Sequence, residues 1–190
     1  MAKVILDSLI KRMTRGVLIK AAELEAITSY EKTNNEYLKI GNIDNGLITG
    51  DMIYLTILEE RFEKYCVRNN NLVITKTGFP QKVLVAQVEE GRNILASGNF
   101  FILELDLNQV NPFYLAAYFN SDEGKKKLLE VSVGQFIATI NTSKFRALEI
   151  DLPELEEQKK IGKEYLNTVN KIAELKSELT ANIEKLGHII

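Results

Sequence analysis

Residues 148–186, LEIDLPELEEQKKIGKEYLNTVNKIAELKSELTANIEKL, change character at Pro153. Before the proline, ALEIDLP reads as a short strand. After it the pattern is helical. Glu154, Glu156 and Glu157 occupy the first turn, where carboxylates complement the helix dipole. The apolar residues Ile161, Tyr165, Val169, Ile172, Leu175, Leu179, Ile183 and Leu186 then recur every three or four positions, seven steps in 25 residues. That spacing is close to a coiled-coil seam, on a helix about 50 Å long at ~1.5 Å per residue. A narrow apolar stripe of this length needs cover. The spacing favours a partner helix, and the alternative is that the helix folds back on its own domain.

Upstream, Pro112 follows Asn111, a good helix opening. PFYLAAYFN reads as one helix, and SDEGKKKLL as a second, amphipathic one. Earlier still the chain is strand-like. YLKIGNIDNGLI carries an Asn45-Gly46 turn. MIYLTI, NLVITKTG, KVLVAQV, NILASG and NFFILEL follow as short apolar runs. FIATI, after Gly134, reads as another short strand. Apolar spacing over residues 1–14 predicts a short helix, and AAELEAI at 21–27 is ambiguous. Strands, then helices, then a little more strand make an α+β fold with a mixed sheet. The domain is expected over 1–153 and the long coiled-coil-like helix over 154–190.

Composition narrows the function classes. Cys66 is the only cysteine, which excludes an internal disulfide and a Cys-rich zinc site, and it is expected as a small core residue. His188 is the only histidine and sits near the C-terminus, a poor base for a catalytic triad or a metal site. No P-loop or GxGxxG pattern occurs. No apolar run approaches a membrane span, and MAKVILDSLIKRM is too mixed for a signal peptide, so a cytoplasmic location is expected. The net charge is −2 and the pI about 5.6, unlike the basic balance of most nucleic-acid binders. The carboxylates are unevenly placed, however, with Asp151, Glu154, Glu156, Glu157 and Glu164 close together.

Two polar clusters interrupt the apolar runs. Lys76-Thr77-Gly78 follows a strand and precedes another. Asn141-Thr142-Ser143-Lys144 lies between apolar stretches and is expected as a loop. A cation, a hydroxyl and exposed amides suit phosphates or base edges. The same residues also suit an ordinary solvated turn, and their chemistry leaves both readings open. Lys125, Lys126 and Lys127 read as a solvated helix face.

LEIDLPELEEQKKI resembles the junction of type I restriction–modification specificity subunits. In that family a target recognition domain ends in a strand and a proline-containing stretch. A leucine, a glutamate and a glutamine then open a long helix. The matching residues are Ile150, Leu152, Pro153, Leu155, Glu157, Gln158 and Ile161. YLKIGNIDNGLI, VITKTG, NPFYLAAYFNSDEGKKKL and the 134–144 stretch are similar to family segments in the same order. The loop after Gly78 departs from the family by continuing Phe79-Pro80-Gln81, where a further glycine is common. Family members commonly carry two recognition domains and two antiparallel helices, whereas this chain has one of each and matches a half-length form.

The resemblance implies a non-catalytic DNA-recognition chain. It implies a homodimer through Ile161, Tyr165, Val169, Ile172, Leu175, Leu179, Ile183 and Leu186, and a bipartite palindromic target on double-stranded DNA. The implied DNA contacts are Lys76, Thr77, Gly78, Asn141, Thr142, Ser143 and Lys144, with Arg15 and Lys20 as further candidates. The implied partners are an adenine methyltransferase subunit and, through it, a restriction subunit. S-adenosylmethionine would sit on the methyltransferase, leaving no cofactor here. The rival readings are a protein-interaction module, which the acidic pI favours, and a small enzyme, which the lack of a catalytic set disfavours.

Overall fold

A computed structural model describes residues 2–187, so His188 lies outside the described residues. In chain order the elements are β1 (Ala2–Ile5), a 3-10 turn (Leu6–Leu9), β2 (Ile10–Arg15), α1 (Ala21–Ile27), β3 (Thr28–Ser29), β4 (Asn35–Leu38) and a 3-10 turn (Ile40–Asn42). There follow β5 (Ile43–Asp44), β6 (Leu47–Ile48), β7 (Ile53–Leu55), a 3-10 turn (Glu60–Tyr65), β8 (Cys66–Val67), β9 (Leu72–Thr75), β10 (Val83–Val85), β11 (Asn93–Ala96) and β12 (Phe100–Leu105). The rest is α2 (Pro112–Asn120), α3 (Asp122–Glu130), β13 (Ser132–Val133), β14 (Thr139–Ile140), α4 (Thr142–Arg146), β15 (Glu149–Leu152) and α5 (Leu155–Gly187). Among the described residues, no helix is long and apolar enough to cross a membrane.

The fold is α+β, as the sequence predicts. One sheet runs β10-β9-β12-β2 and is antiparallel. The other runs β3-β7-β4-β11-β8 and is mixed, because β11 pairs parallel to β4. Alternate residues of the first sheet serve different cores. Leu72, Ile74, Val83, Val85, Phe101 and Leu103 pack with Tyr114, Leu115 and Phe119 of α2, Leu128 of α3 and Phe145 of α4. Their neighbours Val73, Leu84, Phe100 and Ile102 pack with Leu38, Ile94 and Ala96 of the second sheet. Two buried faces explain why these strands are continuous apolar runs without alternation. On the far side Tyr37, Leu55 and Leu95 pack with Phe62 and Cys66, and α1 adds Leu24 and Ile27. Burial pushes the Cys66 thiol up, away from the thiolate a nucleophile needs.

The N-terminal helix expected over residues 1–14 is a correction. Val4 pairs with Ile150 and Met13 with Leu103, so two strands flank the Leu6–Leu9 turn. Leu6 and Leu9, three apart, fit a single 3-10 turn whose two leucines are wholly buried. Helical spacing over so short a window had this second solution. Residues 21–27, ambiguous in the sequence, are helical.

The long helix α5 is anchored by one side chain above all. The Gln158 Oε1 accepts from the Asn111 backbone N–H at 2.9 Å. Its Nε2 donates to the carbonyls of Pro153 and Gln109 at 2.8 and 3.2 Å. One buried amide thus satisfies three backbone groups at the start of α2 and α5. Four residues on, Gly162 faces the Asn111 cap, and a Cβ there would lie 2.6 Å from Asn111 Oδ1. Gln158→Ala is expected to cost about 2–3 kcal/mol, because partners are orphaned in the interior. Urea unfolding measures this, and a loss under about 0.5 kcal/mol would show that the bridge does not stabilise the junction.

A second strut holds α5 further along. The β5–β6 hairpin turns at Asn45 and Gly46, with φ of 45° and 80°, the paired positive values that suit a two-residue hairpin. Gly46 lies under the helix, where an added Cβ would approach Tyr165 Oη to 2.4 Å and Val169 Cγ2 to 3.5 Å. Tyr165 Oη also accepts from Asn120 Nδ2 at 2.9 Å. Lys176 pairs with Asp44 on the same hairpin, and that hydrogen-bonded ammonium holds the Asp44 carboxyl below the usual range. Lys82 supports the hairpin from below, donating to the carbonyls of Ile40 and Ile43.

The apolar stripe of α5 therefore divides, and the eight-residue dimer seam is corrected in its first part. Ile161 and Tyr165 pack on the core beside α2, and Val169 is buried. Ile172 is half-buried. Leu175, Leu179, Ile183 and Leu186 are exposed. Regular spacing marks a stripe but does not say which cover it meets. Gly162 permits the close approach that lets the first turns lie on their own domain.

Candidate nucleic-acid interface

The two polar clusters, 65 residues apart between Lys76 and Asn141, converge through the backbone. The Gly78 N–H donates to the Ala138 carbonyl at 2.9 Å, and the Ile140 N–H to the Lys76 carbonyl at 2.9 Å. Thr77 bridges Thr139 between them. Lys76 also donates its N–H to the Asn99 carbonyl at 2.6 Å, in the turn joining β11 to β12. Arg15, at the end of β2, donates from Nε to the Gly98 carbonyl of that turn at 2.9 Å. Arg15, Lys76, Thr77, Gly78 and the approach to Asn141 thus form one rim at one end of the four-stranded sheet. No hydrogen bond among the described residues ties Lys20, the residue before α1, to this rim.

Charge is concentrated there. Residues 71–88 and 131–148 contain four cations and no carboxylate, in a chain of net charge −2. Two of the four are engaged: Lys82 on the hairpin carbonyls, and Arg146 with Asp7 at 2.5 Å. Among the described residues, Lys76 and Lys144 have no ion-pair partner within 4.0 Å. A small patch of free positive charge on an otherwise acidic protein suits a polyanion locally.

The 141–144 cluster is helical where the sequence predicts a loop. The Asn141 Oδ1 accepts from the Lys144 N–H at 3.0 Å and caps α4. Its oxygen is therefore occupied, and the bidentate adenine contact that asparagine offers is not open to it without uncapping the helix. Phe145 on α4 is buried between Phe101 and Phe119, which leaves Thr142, Ser143 and Lys144 exposed. Capping asparagines and base-reading asparagines carry the same sequence signal.

FIATI is also corrected. Only Thr139 and Ile140 are strand, while Phe136 and Ile137 lie in the connection from β13 and point to solvent. Gly134, two residues before the apolar pair Phe136-Ile137, is the available sign of a turn. The run of Lys125, Lys126 and Lys127 lies on α3, and Lys127 Nζ reaches the Glu149 carbonyl at 3.0 Å.

Comparisons with known proteins agree with this architecture. A model of the type I restriction modification DNA specificity domain matches residues 15–185. The S subunit of a type I restriction-modification system from M. genitalium is similar in structure, with a TM-score of 0.61 and 20% identity. The match covers 96% of this chain and 41% of that one. The HsdS subunit from Thermoanaerobacter tengcongensis is similar with a TM-score of 0.58 and 16% identity, covering 97% and 42%. A chain from a structure on complex assembly and conformational transition of the type I R-M system gives a TM-score of 0.64 at 15% identity, covering 97% and 43%. The chain thus spans about two fifths of the length of these solved relatives. No curated protein matches it.

Proposed function

Because this chain belongs to the family of type I restriction–modification DNA specificity domains, we propose that it selects a DNA sequence for modification by a partner methyltransferase and performs no chemistry itself. One observation carries this reading: the fold joins the Lys76–Gly78 loop to the 138–140 strand, so that two separated polar clusters share a carboxylate-free rim. Lys76, Thr77, Gly78, Thr142, Ser143 and Lys144 are the proposed DNA contacts, with Arg15 on the backbone. Lysines contribute affinity through phosphates, and the Thr77 and Ser143 hydroxyls set register.

In this reading residues 1–153 are the target recognition domain and 154–190 the spacer and assembly helix. Two copies would pair through Leu175, Leu179, Ile183 and Leu186, with Ile172 at the margin of the contact. The two-fold symmetry would place two equivalent domains on two equivalent half-sites. The clamp of Gln158, Gly162 and the β5–β6 hairpin supports this, since a helix fixed to its domain fixes the distance between half-sites. An adenine methyltransferase carrying S-adenosylmethionine would dock on the assembly, and a restriction subunit through it.

The test is methylome sequencing of cells expressing the methyltransferase with and without this chain. Expression is expected to add a bipartite, palindromic adenine-methylation motif. An unchanged methylome would remove the proposal. A motif that is bipartite but not palindromic would remove the symmetric dimer while keeping sequence selection.

A further inference from the structure

The connection between β13 and β14 is a hairpin with an apolar tip. Ser132 pairs with Ile140 and Val133 with Thr139. Gly134 makes the turn at φ 116°, and a Cβ there would lie 2.4 Å from the Ile137 carbonyl oxygen, so the turn accepts only glycine. Phe136 at the tip is 94% exposed and Ile137 63%. Phe79 is also exposed, one residue after Gly78. The tip does not float, because Gly78 and Lys76 grip its returning strand by the two backbone hydrogen bonds described above.

A large aromatic and a branched aliphatic held side by side in water mark a contact surface. The surrounding charge says what kind. The hairpin and the loop that grips it lack carboxylates, and Lys76 on that loop and Lys144 on the adjoining α4 supply positive charge, which suits the DNA polyanion. A two-stranded ribbon fits the major groove, and there the one apolar group on any base edge is the C5 methyl of thymine.

We propose that the 132–140 hairpin enters the major groove and that Phe136 and Ile137 select thymine through its methyl group. The inference rests on the DNA-selecting function proposed above and adds an apolar specificity element to its polar contacts. It makes no use of the α5 seam.

The experiment uses the chain assembled with its methyltransferase and duplexes carrying the motif found by methylome sequencing. Each thymine is replaced in turn by uracil, which lacks only the methyl. The unmodified complex is expected to lose about three- to fivefold in kcat/KM at one or more positions, the weight of one buried methyl. The F136A/I137A complex is expected to be slower on the thymine duplex and indifferent to uracil there. Its thermal melt should be unchanged, since both side chains are exposed.

Insensitivity of the unmodified complex to every uracil would overturn the inference, as would full uracil sensitivity in the double variant. Failure of F136A/I137A to co-purify with the methyltransferase would also overturn it, by making the tip a protein contact. Absence of any motif for the unmodified chain would remove the DNA-selecting premise and this inference with it, an outcome distinct from the others.

Discussion

A chain carrying Leu175→Asp and Leu179→Asp is expected to sediment as a monomer at concentrations where the unmodified chain sediments as a dimer. Leu175 and Leu179 are 51% and 60% exposed, so the domain loses little: an unfolding free energy within about 0.5 kcal/mol of the original is expected. The dimer loses much. Burying a leucine contributes about 1.5–3 kcal/mol, and two are lost from each helix. Four carboxylates on a closed two-fold seam add repulsion and desolvation. Together these exceed roughly 6 kcal/mol, a weakening of more than ten-thousandfold in Kd. Sedimentation velocity over a concentration series reads it directly. Persistence of the dimer in the double variant would place the interface elsewhere, and an unmodified chain that stays monomeric would leave the seam to a different partner.

The second large effect is expected from Gly162→Leu, and its sign runs against helix propensity. On an exposed helix this change would stabilise by about 0.5–1 kcal/mol. Here the new Cβ would meet Asn111 Oδ1 at 2.6 Å, Phe113 Cβ at 3.0 Å and the Tyr114 N at 3.2 Å. The α2 cap and the α2–α5 contact cannot both survive. Loss of the cap costs about 1 kcal/mol and overpacking a further 1–3 kcal/mol, so a net loss of about 2–3 kcal/mol is expected in urea unfolding. In the assembled complex the same variant should blur the spacing between half-sites, because the helix no longer leaves the domain at a fixed angle. A stabilised variant would mean that α5 does not pack on α2 as described.

How far the sequence anticipates these features depends on how local they are. The Asn45-Gly46 turn, the Asn111-Pro112 helix start and the run from Leu155 onward are set by neighbouring residues, and all are present. The start of the chain is not: Val4 and Met13 take partners 146 and 90 residues away, and pairing at that distance overrides helical spacing. The division of the α5 stripe is equally non-local, since it turns on the small surface of Gly162 meeting Asn111. For the site, the rim residues are legible as polar interruptions, but their convergence is not, being made by backbone hydrogen bonds that carry no residue signature. Asn141 shows the limit, because a cap and a base contact ask for the same amide. Phe136 and Ile137 were hidden by their hydrophobicity, which reads as strand wherever it occurs.

The pairing of β1 with β15 has a consequence in time. Ala2 lies opposite Leu152, and the Leu6 N–H donates to the Leu148 carbonyl at 2.8 Å. During synthesis β1 therefore finds its partner only after about 150 further residues have been made, roughly 7–30 s at ordinary rates. Contacts of such long separation are the slow ones to form. Until then Val4 and Ile5 are an unpaired edge, open to mispairing with other nascent chains. β15 immediately precedes α5, so this pairing can form only when the long helix is about to emerge. Closure of β1 on β15 and emergence of α5 are in this way neighbouring steps of synthesis.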